Sequence, residues 1–280
     1  MEVYTLANGI QIPKIGFGTW QIPDGELAVQ SVSYALEAGY RHIDTAQIYG
    51  NEASVGRALA ESGLDRQKIF VTTKVWNDKI GVEDTRLSIL ESMDKLGVDY
   101  LDLVLIHWPN PAASRDSLPW QERNALVWKG LESLYQEGKI KAIGVSNFMV
   151  HHLEALLESA EVTPHVNQVM LAPGTPQKEL VAYCQDKGIL LEAYSPFGTG
   201  TLFENEEAAQ LAREAGLTLA QLALAWSLDK GFLPLPKSTS PENIQANLAI
   251  EGLAIAPKAI EVLDQLQGVK GQLDPDQADF

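Results

Sequence analysis

Asp44, Tyr49, Lys74 and His107 stand at or just past the ends of three short apolar runs, HIDTAQIYG, KIFVTTKVW and LDLVLIHWP. If those runs are neighbouring parallel strands, the side chains converge on one rim. A phenol then meets an ammonium group, the ammonium has a carboxylate partner, and an imidazole stands ready to orient a substrate. Tyrosine has an unperturbed pKa of about 10, too high for ready proton release near neutrality. A Lys74 ammonium beside Tyr49 is expected to lower that pKa and make the phenol a better general acid. Asp44 supplies the countercharge without which a buried ammonium is costly. His107 can donate a hydrogen bond to a carbonyl oxygen and polarise it. Polarisation combined with proton donation fits carbonyl reduction. Each residue alone has a duller explanation: a turn aspartate, a snorkelling lysine, a structural histidine. Their joint placement on one rim is what argues for function.

A scaffold that could hold them is visible in the rest of the chain. Strand-like runs KIGFG, HIDT, IFVTTKV, LDLVLIH, AIGVSN, HVNQVM, ILLEAYS and FLPLPKS alternate with amphipathic helical stretches, after a candidate hairpin VYTLANGIQI turning at Asn8-Gly9. Helical patterns fall in ELAVQSVSYALEAG, NEASVGRALAESG, VEDTRLSILESMDKLG, WQERNALVWKGLESLYQEG, FMVHHLEALLESA, PQKELVAYCQDKG, one longer stretch centred on TLAQLALAWSLDKG, and SPENIQANLAI. Apolar strands joined by helices imply a parallel sheet buried on both faces. Eight such units predict an α/β fold closed as a (β/α)8 TIM barrel with an N-terminal β-hairpin, and 1–280 reads as a single domain. No Gly-x-Gly-x-x-Gly opens the first helix, which weighs against an open dinucleotide-binding sheet. The polar tail GQLDPDQADF either frays or folds back over the barrel mouth.

The later strand ends suggest a second kind of chemistry. Ser146, Asn147 and Gln168 can hydrogen-bond a carboxamide, and Tyr194 can stack on a nicotinamide ring. Ser195, Pro196 and Phe197 lead into a loop where Gly198 and Gly200 let backbone N–H groups approach a pyrophosphate. Lys237, Ser238 and Thr239 offer a cation and hydroxyls for phosphate. Trp20, Trp76 and Trp108 would make an aromatic, substrate-binding mouth.

Composition narrows the partners. With 21 Lys+Arg against 37 Asp+Glu the formal net charge is −16, which repels nucleic acid and anionic membranes. No apolar stretch of about 18 residues suggests a membrane span. The single cysteine, Cys184, reads as an inert buried thiol in a reducing, cytoplasmic setting. No Cys/His cluster has metal-ligand spacing, so no metal is expected. Nothing demands assembly, and a monomer is expected.

Taken together, HIDTAQIYGNEASVG, WKGLESLYQEGKIKAIGVSNF, LPKSTSPENIQAN and the KVW and IHWP segments resemble the aldo-keto reductases, over nearly the whole chain. The compact loops look most like those of bacterial diketogluconate and small-carbonyl reductases. The resemblance implies an NAD(P)H-dependent reductase of aldehydes, ketones or dicarbonyls, with Tyr49 as proton donor and Asp44, Lys74 and His107 supporting it. Where the family has an Arg for the adenosine 2′-phosphate this chain has Asn243, and where a Glu contacts adenine it has Ala246, followed by Asn247. Met170 and Ala172 likewise replace the usual Glu and His after Gln168. NADPH is the expected cofactor, held by Lys237, Ser238, Thr239, Asn243 and Asn247, with NADH as the alternative. Two competing readings remain: a Schiff-base aldolase using Lys74, and a non-catalytic NADPH-binding subunit.

Overall fold

A computed structural model describes residues 2–116 and 118–279; Ser117, in the loop NPAASRDSLPW, and Phe280, the last residue of the tail, lie outside it. Eight parallel strands follow one another around a barrel: β3 (Phe17–Gly18), β4 (His42–Asp44), β5 (Phe70–Val75), β6 (Leu101–Ile106), β7 (Ile140–Ser146), β8 (Val166–Met170), β9 (Leu190–Tyr194) and β10 (Leu233–Leu235). The ring closes where the N–H groups of Gly16 and Gly18 donate to the carbonyls of Pro234 and Pro236, at 3.1 and 3.0 Å. This closure explains two shortened strands. Pro234 and Pro236 have no N–H to give, so the last run accepts bonds but cannot extend a ladder. Gly16 is required by close approach: a Cβ there would stand 2.5 Å from the Leu235 side chain and 2.6 Å from His42 Nδ1.

The strands alternate between two environments. One set of side chains packs outward under the helices. The other points inward, where Phe70, Leu103, Leu105, Ala142, Val166, Leu233 and Leu235 form a cluster with Leu6 and Ile12 of the hairpin. That hairpin, β1 (Val3–Thr5) with β2 (Gln11–Pro13), turns at Asn8-Gly9 as anticipated, with Gly9 at φ 84°, and plugs one end of the barrel. Above the apolar plug the inward positions turn polar, towards the strands' carboxyl ends.

Helices α1 (Glu26–Ala38), α2 (Glu52–Glu61), α3 (Val82–Leu96), α4 (Trp120–Gln136), α5 (Val150–Leu157) and α6 (Lys178–Asp186) cover the outside in the order expected. The longer stretch after β9 is two helices rather than one, α7 (Glu206–Ala215) and α8 (Leu219–Asp229). Gly216 takes a left-handed conformation, φ 68°, and stops the first; Thr218 and Gln221 then form a capping box that starts the second. After β10 comes α9 (Pro241–Leu248), capped by the Ser240 side chain. A tenth helix, α10 (Pro257–Gln265), was not expected; its signal is Pro257 at the first turn ahead of the amphipathic AIEVLDQ.

The tail folds back over the mouth. Gly271 and Leu273 line the central cavity, and Asp276 accepts hydrogen bonds from Asn110 (2.8 Å), His151 (3.0 Å) and His152 (3.1 Å). Arg115 secures the next turn through the Ala278 carbonyl at 2.6 Å. No helix among the described residues is long and apolar enough to cross a membrane.

Candidate active site

A cavity of about 710 Å³ opens at the carboxyl ends of the strands, and the rim residues anticipated from sequence meet there. Asp44 closes β4, and a single 3-10 turn at Gln47–Tyr49 brings the phenol back over the strand end. Lys74 is the penultimate residue of β5, and His107 directly follows β6. Lys74 is wholly buried, with Nζ donating to Asp44 Oδ1 at 2.7 Å and to the Thr45 carbonyl at 2.8 Å. Its third donor reaches the Tyr49 oxygen at 3.4 Å. Burial opposes the ammonium, but Asp44 and Tyr49 outweigh it and hold the Lys74 pKa above its ordinary value. The side chain is therefore a fixed cation, with no amine lone pair for Schiff-base attack.

Tyr49 departs from the expectation in sign. Burial raises its pKa more than Lys74 lowers it, and Asp44 adds to the rise. The phenol therefore stays protonated at neutrality, and Lys74 limits the rise rather than producing a net fall.

His107 is held neutral, its pKa pushed well below the ordinary value by burial and then by Lys74. Its ring meets Tyr49 and Trp76 edge-on, with centroids 5.8 and 5.2 Å apart. Nδ1 is shielded and has no hydrogen-bond partner, so the polar role of the ring falls to Nε2.

The opposite wall carries Ser146, Asn147, Gln168, Tyr194, Ser195, Pro196, Phe197 and Gly200. Its hydrogen bonds show what it can recognise. Asn147 Nδ2 donates to the His107 carbonyl (3.0 Å) and to Ser146 Oγ (3.2 Å), while its Oδ1 accepts from Tyr194 (2.7 Å). Ser146 Oγ donates to the Gln168 carbonyl at 2.8 Å. Gln168 Nε2 donates to Asp44 Oδ2 (2.9 Å) and Glu192 Oε2 (2.7 Å). With their donors committed, all three residues keep acceptor capacity, which suits the NH2 end of a carboxamide. Asn147 (φ 63°), Ser195 (φ 46°) and Gln21 (φ 62°) hold left-handed backbone at this rim although none is glycine, a strain that functional sites tolerate.

Trp20, Trp76 and Trp108 all line the cavity, as anticipated. Trp108 is nearly buried, whereas Trp20, Ile48, Phe203 and Leu273 are 47%, 49%, 53% and 49% exposed around the same opening. Such a collar of exposed apolar side chains marks a binding surface. Among the described residues, Lys237 is the one lysine or arginine that lines the cavity. Gly198, Ser238, Thr239, Asn243 and Asn247 do not line the cavity. The last four lie on the segment leading from β10 into α9 and on α9 itself, with Thr239 and Asn243 exposed, Ser238 half-buried and Asn247 buried. Sequence reasoning passed over His42 and Glu192, which sit one inward position below Asp44 and Tyr194; the period-two phase of HIDT and ILLEAYS was the available signal.

His151, His152 and Asp276 are the cluster closest to metal-ligand geometry among the described residues. His152 Nδ1 accepts the Met149 N–H at 3.1 Å, so Nε2 carries the proton and donates it to Asp276. A ligating histidine needs the reverse arrangement.

The family model for the aldo/keto reductase family matches residues 14–267, and the chain belongs to that family. It is 43% identical over 265 residues to a glyoxal reductase of Bacillus subtilis, covering 95% of this chain and 92% of that protein. It is 39% identical to an aldehyde reductase of Saccharomyces cerevisiae, over 96% of this chain and 93% of the other. A Bombyx mori aldo-keto reductase solved in complex with NADP superposes with a TM-score of 0.86 at 34% identity, covering 94% of this chain and 92% of that one.

Proposed function

We propose that this NAD(P)H-dependent aldo-keto reductase reduces small neutral aldehydes and dicarbonyls, with Tyr49 as the proton donor. The observation that carries the reading is the Lys74 ammonium, shared between Asp44 Oδ1 and the Tyr49 oxygen on the floor of an aromatic-walled cavity.

The residues present fit a nicotinamide dinucleotide. Ser146, Asn147 and Gln168 would accept from its carboxamide, Tyr194 would face its ring, and the Gly198–Gly200 loop would run beside the pyrophosphate. Lys237, Ser238, Thr239 and the amino-terminal end of α9 would hold a 2′-phosphate, which favours NADPH despite Asn243. Asn247, buried on α9, would support that end from below. When bound, the reduced cofactor supplies the hydride.

The chain's own residues do the rest. His107, neutral and able to donate from Nε2, orients the carbonyl oxygen towards the phenol and polarises it. Tyr49 delivers its proton to that oxygen as negative charge develops there. Lys74 stabilises the phenolate left behind, and Asp44 with the Thr45 carbonyl keeps the ammonium from drifting. Trp20, Trp76 and Trp108 exclude water from the reacting carbonyl. Among the described residues no lysine or arginine lines the cavity beside Trp20, Trp76 and Trp108, and the Lys74 charge is already paired with Asp44, so neutral substrates are favoured over carboxylates and phosphates.

The single cysteine and acidic surface support a cytoplasmic, monomeric enzyme of one domain, acting on small molecules and not on nucleic acid. Titrating NADPH and NADH against tryptophan fluorescence, then assaying glyoxal, methylglyoxal, benzaldehyde and a keto sugar with the tighter binder, tests the reading. Tighter binding of NADPH and turnover of the neutral aldehydes are expected. Binding without turnover of any of the four would refute it.

A further inference from the structure

Glu192 is a buried carboxyl group that the proton transfer described above leaves unused. It lies on β9 opposite Gln168 of β8 in the parallel register, fully enclosed by the barrel. The Gln168 amide forks between two carboxyl groups, giving one hydrogen to Glu192 Oε2 and the other to Asp44 Oδ2. Asp44 is already claimed by Lys74 through its other oxygen. An unbroken chain therefore runs from Glu192 through Gln168, Asp44 and Lys74 to Tyr49.

The ionisable groups facing Glu192 are Asp44 and His42 from β4 and Lys74 from β5; β8 and β10 offer the neutral Gln168 and Leu233. One buried ammonium cannot balance two buried carboxylates. His42 does not supply a second cation. Burial, followed by Lys74, takes its pKa down to about 3, and its Nε2 is occupied by Thr72 Oγ1 at 2.9 Å. The 3.9 Å approach of His42 Nε2 to Glu192 Oε1 is thus a contact of two neutral groups rather than an ion pair. Burial, then the charge of Asp44, pushes the Glu192 pKa up to about 8.

We propose that Glu192 is a positioning residue for the proton transfer: protonated beneath Gln168, it leaves Lys74 uncontested by a second anion and holds Asp44 in place through the amide fork. When Glu192 ionises, a second anion joins the floor and competes for the field of Lys74. The phenolate that forms at Tyr49 is then less well stabilised, and turnover falls. This limb of the pH profile belongs to Glu192 because burial holds the Tyr49 pKa above its own ordinary value.

The inference rests on Tyr49 being the proton donor, and the experiment separates the two claims. The pH dependence of kcat for methylglyoxal, at saturating NADPH, is compared between the wild type and Glu192→Gln. The wild-type kcat is expected to fall at least threefold between pH 7 and pH 9, with the decline absent from the Gln variant. Superimposable normalised profiles would overturn the proposal. Glu192→Met, neutral but unable to accept from Gln168, is expected to lose kcat severalfold relative to Glu192→Gln at pH 7 with KM unchanged. Equal kcat in the two variants would remove the positioning role.

A readout independent of turnover is the urea midpoint. It should fall from pH 5 to pH 8 in the wild type relative to either variant, and a constant offset would mean that Glu192 is not held protonated. An inactive Tyr49→Phe enzyme alongside superimposable Glu192 profiles sinks only this inference. An active Tyr49→Phe enzyme sinks the reading beneath it.

Discussion

The Lys74 ammonium and the Asp44 carboxylate stand 2.7 Å apart inside the barrel, with side chains 0% and 5% exposed. Neither ion is hydrated in the ordinary sense, so each depends on the other and on nearby dipoles. The pair adds little net stability over an apolar filling of the same space, because desolvation offsets the attraction. Its value is positional: it fixes a cation beneath Tyr49.

Removing one partner should therefore be severe. Asp44→Asn keeps an oxygen for Lys74 to donate to but removes its counter-ion, leaving the buried ammonium among the neutral oxygens of the new amide, Thr45 and Tyr49, and the expected loss is about 3–5 kcal/mol of folding stability. Urea unfolding at pH 7 measures it. A loss under about 1 kcal/mol would mean that the ammonium had shed its proton or found another anion.

The tail supplies a second prediction. Asp276 draws Asn110, His151 and His152 together, and Leu273 lies over the cavity just before it. Asp276→Ala should free the segment from Gly271 onward, raise KM for aldehydes severalfold and speed proteolytic cleavage of the tail. Limited proteolysis followed by mass measurement, with KM determined in parallel, checks both. Unchanged cleavage and KM would show that Arg115 and the apolar contacts suffice.

Buried neutral histidines predict acid lability. His42 has a folded pKa near 3 against an ordinary 6.5, so the unfolded chain binds more protons between those values. Its contribution to stability is present above pH 6.5 and is lost as the pH falls towards 3, at about 1.4 kcal/mol per pH unit. His42→Leu should flatten the acid side of the stability profile by about that slope. Parallel profiles for the two proteins between pH 6.5 and 4 would contradict it.

The rim chemistry was legible because Asp44, Tyr49, Lys74 and His107 interrupt apolar runs at or just beyond strand ends, where polar side chains have few structural reasons to be. The barrel was legible because its strands are short, mostly apolar runs buried on both faces, with one helix pattern after each. Glu192 was legible only through its period-two phase with Tyr194, a signal that carries no weight until the sheet is known to close. In an open sheet a glutamate within ILLEAYS could face either side; the closed ring places it inward, in phase with Tyr194. The sign of the Tyr49 shift was hidden for a related reason: Lys74 is visible in the sequence, but the burial that outweighs it is not. The break between α7 and α8 hangs on the three-residue link from Gly216 to Thr218, which a helical pattern spans without a gap. Which way the tail turns depends on Asp276 finding partners more than a hundred residues away in sequence.

The most direct test is single-turnover and steady-state reduction of methylglyoxal by Tyr49→Phe, with NADPH binding measured separately by tryptophan fluorescence. The phenol should contribute about 10²–10⁴-fold as a positioned acid, so kcat is expected to fall by that factor while the Kd for NADPH stays within about twofold. A variant that binds NADPH normally and turns over within tenfold of the wild type would contradict the role given to Tyr49.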